Sequence, residues 1–244
     1  MNRKPLGHKS YGHIAHLPGS RMGPGDHKCH EGQKKIACEQ ARNKYDRVIV
    51  QEKLDGSNVG VTLINDEIIP MSRAGYRAET SPFIMHHYFA SWVKANQERF
   101  RIVLKPGERI CGEWLLVAHG TKYDLPHEPF VAFDIMQQKH NRLPFDQFKE
   151  RVKAGEFITP KTISDGPPIS IQKVFTLLGD FGFHGALEQV EGAVWRIESE
   201  ILKDKSLGNI GGRYTVVDFL VKFVRPDKID GKYLKEKSIY NSHS

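Results

Sequence analysis

The chain has 244 residues, enough for one large domain or for one domain with an appendage. Hydrophobic residues make up 39% and charged residues 27%, and these typical values exclude a collagen, a coiled coil and a disordered polymer. The formal net charge is +7 at pH 7, which is compatible with a polyanionic partner such as a nucleic acid but says nothing about the fold.

The three cysteines form an odd-numbered, unclustered set, Cys29, Cys38 and Cys111, which does not suit a disulfide framework. The chain has no run of about 18 apolar residues. Its first ten residues lack the apolar core of a signal peptide. These features predict a cytoplasmic protein without a membrane partner.

The first thirty residues differ from the rest because they contain five histidines and a stretch rich in glycine and proline over 17–26. This stretch predicts an arm made of turns. Apolar residues from 30 to 45 are spaced like one helix face, so we expect a helix there. Residues 1–46 are therefore interpreted as an N-terminal arm with a helix, packed on a domain that spans residues 47–244.

The arm also contains potential zinc ligands in His27, Cys29 and His30, with Cys38 in the helix. Their spacing does not match the paired cysteine and histidine patterns of structural zinc sites. Contact with phosphate or RNA is the favoured use of the arm, and the residues expected to make it are Arg21, His27 and Lys28.

Two strands are predicted next, over 47–53 and 57–64, because both segments are rich in β-branched residues. The pair Asp55-Gly56 between them is a turn signal, so we expect the two strands to form a hairpin. A helix over 82–99 follows, with Ser81 as its N-cap and Pro82 at its first position. The adjacent histidines of this helix, His86 and His87, are expected at the surface.

The remaining predicted elements are strands over 110–117 and 130–136, helices over 144–154 and 170–178, and strands over 193–197 and 219–224. Strands follow strands in several places, without the regular alternation of strands and helices that a parallel sheet shows. The pattern therefore favours an α+β fold with mostly antiparallel sheets flanked by helices.

A single lysine, Lys53, ends an apolar strand immediately before the Asp55-Gly56 turn, and a plain hairpin is one interpretation of this segment. Further polar residues interrupt or flank the later strands in a fixed order. These later sites are Ser72-Arg73-Ala74-Gly75, Gly112-Glu113-Trp114, Phe133-Asp134, Glu191-Gly192 and Val221-Lys222-Phe223. Six ordered sites are far more specific than the lysine segment alone.

This series of motifs resembles that of the covalent nucleotidyltransferases, which include ATP-dependent DNA and RNA ligases and mRNA capping enzymes. Their nucleophile motif is Lys-x-Asp-Gly, here residues 53–56, and the similarity extends from about residue 48 to 224. The fifth residue after the lysine is usually arginine in DNA ligases and capping enzymes. Here it is Asn58, which is similar to the RNA ligases related to phage T4 RNA ligase 2, and the segments at 72–75 and 133–134 also match that family.

The resemblance implies a ligase adenylation domain that uses ATP and Mg²⁺ or Mn²⁺ to join the 5′-phosphate and 3′-hydroxyl ends of RNA, including those of a nicked duplex. Lys53 is implied to be the nucleophile that carries AMP. The implied nucleotide-binding residues are Glu52 at the adenine edge, Phe133 on the adenine face, Glu113 at the ribose, Asn58 and Arg73 on the sugar-phosphate side, Lys222 at the α-phosphate, and Glu191. Glu191 is the first metal candidate and Asp134 the second.

The lysine must lose a proton before it attacks phosphorus, because an amine with a pKa near 10.4 is almost entirely protonated at pH 7. We expect partial burial and nearby cations, namely a metal ion and Lys222, to lower the pKa of Lys53 by roughly three units.

Two features depart from the family pattern. Its last motif usually contains Lys-x-Lys, whereas residues 220–224 contain Lys222 alone. Either Arg225 or another cation replaces the second lysine, or the phosphate charge is handled differently. The 22 residues after Lys222 are too few for a C-terminal OB domain. We therefore expect this domain and its arm to hold the RNA, with binding that weakens steeply as salt rises.

Two alternatives remain open. A DNA ligase or a GTP-using capping enzyme shares the scaffold, although Asn58 argues against both. A non-catalytic module that binds RNA ends is compatible with the single lysine of the last motif, although Lys53, Glu113 and Glu191 argue against it.

Overall fold

Two five-stranded β-sheets and five α-helices make up most of the structure. The computed structural model describes residues 3–202, 212–234 and 239–243. In chain order the elements are β1 (Ala15–His16), α1 (Glu31–Cys38), β2 (Asp46–Lys53), β3 (Ser57–Ile64), β4 (Glu67–Ser72), a 3₁₀ helix (Ala78–Thr80), α2 (Ile84–Ala95), α3 (Gln97–Val103), β5 (Arg109–Trp114), β6 (Asp124–Leu125), β7 (Phe130–Gln137), β8 (Asn141–Arg142), α4 (Phe145–Ala154), β9 (Thr162–Gly166), α5 (Ile171–Leu178), β10 (Gly192–Leu202), β11 (Arg213–Val224) and β12 (Ser242–His243).

The strand order is β1-β11-β10-β2-β9 in the first sheet and β4-β3-β5-β7-β8 in the second. Neighbouring strands are antiparallel in both sheets except β1 and β11, which are parallel. The short strands β6 and β12 form a separate parallel pair. The expected α+β fold with mostly antiparallel sheets is therefore confirmed.

Part of the N-terminal segment belongs to the first sheet. Ala15 lies opposite Val221 of β11, and His16 lies opposite Lys222. The backbone N–H of Leu17 donates to the carbonyl of Lys222 at 2.8 Å, and the Leu17 side chain is buried. The segment thus adds an edge strand beside the strand that carries Lys222, while the division of the chain at residue 46 stays a prediction.

The hairpin expected around Asp55-Gly56 is wrong, because β2 belongs to the first sheet and β3 to the second. The carboxylate of Asp55 accepts hydrogen bonds from the backbone N–H of Gly120 at 3.0 Å and from the hydroxyl of Thr121 at 3.1 Å. These bonds hold the turn against the loop after β5, while Leu54 is buried beneath it. The turn is real, but it carries the chain from one sheet to the other.

Several element boundaries also differ from expectation. The first helix ends at Cys38 rather than at 45, because the carboxylate of Asp46 accepts the backbone N–H of Arg42 at 2.7 Å and stabilises a turn there. The helix expected over 82–99 begins at Ile84, with the Ser81 hydroxyl accepting the N–H of Phe83, and divides into α2 and α3.

Besides the two-residue strands, two longer strands, β4 and β9, were not predicted. Both lie at sheet edges. Pro70 in β4 is tolerated there because an edge strand does not need every backbone N–H for pairing. A proline inside an apolar run argues against a strand, so β4 could not be predicted from the sequence alone.

Helices cover one side of each sheet. Helices α2, α3 and α4 enclose an aromatic core against the second sheet, whose largest members are Phe89, Phe100, Trp114, Phe130 and Phe148. Helices α1 and α5 pack with the first sheet around the fully buried Trp195. None of the helices in the described ranges combines the length and the apolar character that crossing a membrane requires.

Candidate active site

A cavity of about 1410 Å³ is lined by residues of both sheets and by every residue that the sequence assigned to the site. From the first sheet and its loops come Glu52, Lys53, Glu191 and Lys222. From the second sheet and its loops come Asn58, Arg73, Glu113, Phe133 and Asp134. The fold therefore brings together side chains that lie far apart in the sequence.

Lys53 is the last residue of β2 and lies opposite Gly192 of β10 in the strand register. Its ammonium group donates to the carboxylate of Glu191 in an ion pair. Burial disfavours the ammonium and is the largest single influence, but the charges of Glu191, Glu113 and Asp55 outweigh it and raise the pKa of Lys53. Burial and Lys222 therefore do not lower this pKa by themselves, because carboxylates outnumber cations around the amine, and the lowering expected with a bound metal ion stays a prediction.

Glu113 and Asn58 lie opposite each other on β5 and β3. Oε1 of Glu113 accepts the backbone N–H of Gly56 at 3.2 Å, and burial above all raises the pKa of Glu113 to about 7. Oδ1 of Asn58 is buried and has no hydrogen-bond partner within the described ranges. A buried acceptor of this kind suits a ligand that donates hydrogen bonds.

Glu52 has a second unsatisfied acceptor. Its Oε2 accepts the backbone N–H of Phe183 at 2.9 Å, whereas Oε1 is buried without a partner among the residues that the structure describes. Gly182 permits this approach, since a Cβ there would lie 2.1 Å from Oε1 and its φ is +58°. Burial raises the pKa of Glu52 to about 7. Glu52 thus places a polar group in an otherwise apolar part of the wall.

The apolar part of the wall combines both sheets. Phe133 of β7 is half-buried, and its ring meets that of Tyr11 edge-on with centroids 5.0 Å apart. Val194 of β10 and Leu220 of β11 line the same cavity. A planar aromatic ligand between Phe133 and the aliphatic side chains would contact both sheets.

Asp134, the second metal candidate, is bound by neighbouring side chains, and its metal role stays a prediction. Its Oδ2 accepts from the hydroxyl of Tyr11 at 2.6 Å and from Nε of Arg142 at 3.1 Å, and its Oδ1 accepts from Arg196 at 2.5 Å. The carboxylate is buried and both of its oxygens are engaged. Asp134 therefore anchors a buried ion-pair network behind Phe133.

Arg225 does not replace the missing second lysine. Its guanidinium donates to the carbonyl of Gly179 at 2.8 Å and lies over the Phe175 ring, at 4.5 Å from the ring centroid. It does not line the cavity. Arg73 does, on an exposed loop where it donates to the carbonyl of Gly12 at 3.2 Å. Arg73 is thus the cation that supplements Lys222 at the cavity wall.

Several cavity residues were missed by the sequence analysis, and three of them carry polar rings close to the assigned site. Tyr11 comes from the N-terminal arm, His86 from α2, where a surface position was expected, and His119 from the loop after β5. No sequence motif marks any of them. Their position depends on β1 joining the first sheet and on Asp55 anchoring the loop over 119–121.

The donor groups near Lys53 fit a divalent cation that is shared with a phosphate ligand. Within residues 3–202, 212–234 and 239–243, no group of three or more His, Cys, Asp and Glu side chains is arranged to hold a metal by itself. The carboxylates of Glu191, Glu113 and Asp55 nevertheless surround one ammonium group. Because Mg²⁺ is usually held by one or two carboxylates together with substrate phosphates, this excess of negative charge fits it.

The two sheets, with the half-buried Lys53 at the strand end between them, define a ligase nucleotidyltransferase domain. The family model described as RNA ligase matches residues 46–211, and the chain belongs to this family. No match was found among the curated proteins.

Solved structures show the same fold at low sequence identity. A mutant RNA ligase of Naegleria gruberi with AMP and Mn has a TM-score of 0.52 and 14% identity, covering 91% of this chain and 61% of that chain. Another mutant of a Naegleria gruberi RNA ligase, with ATP and Mn, has a TM-score of 0.49 and 15% identity, covering 86% of this chain and 60% of that chain. An archaeal ATP-dependent RNA ligase has a TM-score of 0.47 and 21% identity, covering 73% of this chain and 42% of that chain. The chain thus spans only part of the length of each of these proteins.

Proposed function

We propose that the protein is an ATP-dependent RNA ligase that joins 5′-phosphate and 3′-hydroxyl ends through a lysine-AMP intermediate. The observation that carries this proposal is the place of Lys53, a half-buried strand-end lysine paired with Glu191 in a cavity that Phe133 and Lys222 also line. Asn58 supports the further proposal that the protein belongs to the branch related to phage T4 RNA ligase 2.

The cavity offers complementary groups for each part of ATP. Adenine fits between Phe133 and Val194, since a base stacks on an aromatic face whatever its identity. Oε1 of Glu52 is a free acceptor for the exocyclic amino group of adenine. The ribose hydroxyls would donate to Glu113 and to Oδ1 of Asn58, which has no other partner in the described structure.

The first reaction step is an in-line displacement at the α-phosphorus. Nζ of Lys53 loses its proton, for which Glu191 is the nearest acceptor, and forms a bond to phosphorus. The bond from phosphorus to the bridging oxygen breaks, and pyrophosphate leaves with the electron pair. Burial above all lowers the pKa of Lys222, and the charge of the nearby Lys53 ammonium lowers it further. It is therefore the natural counter-charge for the α-phosphate.

A divalent cation, Mg²⁺ or Mn²⁺, would supply positive charge that lowers the pKa of the attacking lysine and neutralises the leaving pyrophosphate. Glu191 and Glu113 are the residues that would hold it. Glu191 must then release Lys53, so the ion pair and cation binding compete for the same carboxylate.

In the later steps the 5′-phosphate of an RNA end attacks the lysine-bound AMP, which frees Lys53 and forms a pyrophosphate bridge. The 3′-hydroxyl of a second end then displaces AMP. A net charge of +7 favours the polyanionic substrate, and we propose a nicked duplex as one form of it. The three described cysteines are buried and free, which supports the proposal of a cytoplasmic location.

The proposal is tested by incubating the protein with α-labelled ATP and a divalent metal, followed by denaturing electrophoresis. We expect label on the wild type and none on Lys53→Ala. The matched control is Lys173→Ala, because Lys173 is an exposed lysine that does not line the cavity. Label from GTP alone would point to a capping enzyme, and no label with any metal would point to a non-catalytic module.

A second assay tests the substrate. Sealing is compared for matched nicks whose 3′-hydroxyl strand is RNA or DNA. We expect faster sealing of the RNA strand. Equal or faster sealing of the DNA strand would contradict an RNA ligase and favour a DNA ligase.

A further inference from the structure

Two histidines line the cavity but have no place in the nucleotide site proposed above. His86 lies in the first turn of α2, and His119 lies in the loop after β5. Both side chains are half-buried. The charges of Glu191 and Lys53 act on His119, which places its ring within electrostatic range of the proposed nucleophile.

Each imidazole is oriented by a serine hydroxyl through one ring nitrogen. Nε2 of His119 lies 3.0 Å from Oγ of Ser57, and Nδ1 of His86 lies 2.6 Å from Oγ of Ser81. Ser57 also donates to Sδ of Met85 at 2.8 Å and so connects His119 to the start of α2. In the described structure, Nδ1 of His119 and Nε2 of His86 have no hydrogen-bond partner.

The N-terminus of α2, where His86 lies, favours an anion. The N-cap of α2 makes no side-chain hydrogen bond, and the first turn contains no acidic residue, so its partial positive charge is not offset locally. Burial lowers the pKa of both His86 and His119, which keeps them neutral beside the lysine. A bound phosphate favours the imidazolium form, in which both ring nitrogens donate hydrogen bonds.

We infer that His86 and His119 form a phosphate-binding subsite beside Lys53, distinct from the α-phosphate contact at Lys222. This inference rests on the proposed function, since two phosphate groups enter such a cavity. One is the pyrophosphate end of ATP, and the other is the 5′-phosphate of the RNA. Both present the same chemistry to the histidines.

Binding measurements on Lys53→Ala protein separate the two sources, because no reaction then consumes the ligand. One arm compares dissociation constants for ATP and AMP, and the other compares a short oligoribonucleotide with a 5′-phosphate or a 5′-hydroxyl. His86→Ala and His119→Ala are each combined with Lys53→Ala. The control is His140→Ala, which removes an exposed histidine that does not line the cavity.

For each histidine variant, we expect the preference for ATP over AMP, or for the 5′-phosphate over the 5′-hydroxyl, to fall by about tenfold in one of the two arms. This factor corresponds to the loss of one charge-assisted hydrogen bond. A loss in the ATP arm assigns the subsite to pyrophosphate, and a loss in the RNA arm assigns it to the 5′-phosphate. Unchanged ratios in both arms overturn the inference.

A measurement on protein with both histidines intact guards against variants that fold poorly. The imidazole resonances of His86 and His119 are followed by NMR as ATP, AMP and the two oligoribonucleotides are added. In one of the two ligand pairs, we expect the ligand with the extra phosphate to shift the imidazole resonances differently from its partner. Identical shifts within both pairs would overturn the subsite. If the proposed ligase activity is itself wrong, the wild type will not be labelled by α-labelled ATP, and this outcome is distinct from the results of the histidine experiments.

Discussion

Lys53 and Glu191 form an ion pair at the junction of β2 and β10, so the proposed nucleophile is held as an ammonium by the proposed metal ligand. A cation that binds this carboxylate, as proposed above, would compete with Lys53 for Glu191 and would release the amine.

Replacing Glu191 by glutamine removes this charge but keeps the shape of the side chain. We expect the metal concentration for half-maximal self-adenylation to rise by about tenfold or more, because a carboxylate ligand is lost. Initial rates of labelling are measured across a metal titration. The control is Glu150→Gln, an exposed carboxylate on α4. An unchanged metal requirement would remove Glu191 from the metal site.

Asp134→Asn tests the structural role that its ion pairs indicate against the expected metal role. We expect the free energy of unfolding to fall by about 3 kcal/mol, because Arg196 and Arg142 lose a buried counter-charge. Urea denaturation measures this loss. The metal concentration that folded Asp134→Asn protein needs for half-maximal self-adenylation should match that of the wild type. A large increase in this concentration would support Asp134 as a metal ligand.

Glu52→Gln should stabilise the protein in alkaline solution. The pKa of Glu52 is about 7 in the folded protein, compared with a reference value of 4.5. The contribution of the protonated carboxyl to stability is therefore present below pH 4.5 and is lost as the pH rises through 7. We expect the variant to be more stable than the wild type by about 3 kcal/mol at pH 9 and nearly equal at pH 4. Urea denaturation at both pH values measures the difference, and a gain that is independent of pH would contradict this origin.

Phe133→Ala should weaken nucleotide binding without a large effect on folding, because the ring is only half-buried. Loss of one stacking contact predicts a rise in the dissociation constant of about tenfold or more. Calorimetric titration of ATP into Lys53→Ala protein, with and without the second change, measures it. Phe181→Ala is the control, because Phe181 is 60% exposed and does not line the cavity. Equal weakening by both changes would argue against stacking on Phe133.

The motif residues could be predicted because their order along the chain resembles that of the covalent nucleotidyltransferases. This resemblance implied one site for Lys53, Glu113 and Glu191, and all three line one cavity. The partners of these residues in space were not predictable. Asp55-Gly56 signals a turn, but a turn signal does not state whether the flanking strands pair with each other or enter different sheets.

Electrostatics set the other limit. The pKa of Lys53 depends on how many carboxylates converge on its amine, which is a property of the folded cavity. Tyr11 and His119 were missed for the same reason, since a tyrosine in an arm and a histidine in a loop acquire their role from long-range contacts. Asp134 also has contacts that its motif does not signal, because Tyr11 and Arg196 bind its carboxylate in the folded protein.

The central claim is that Lys53 becomes covalently bonded to AMP. It is tested most directly by mass spectrometry of the protein after incubation with ATP and a divalent metal, followed by peptide mapping. We predict a mass increase of one AMP on the intact chain, located on the peptide that contains Lys53 and removed by pyrophosphate. AMP on any other residue, or no adduct while RNA ends are still joined, would contradict the account.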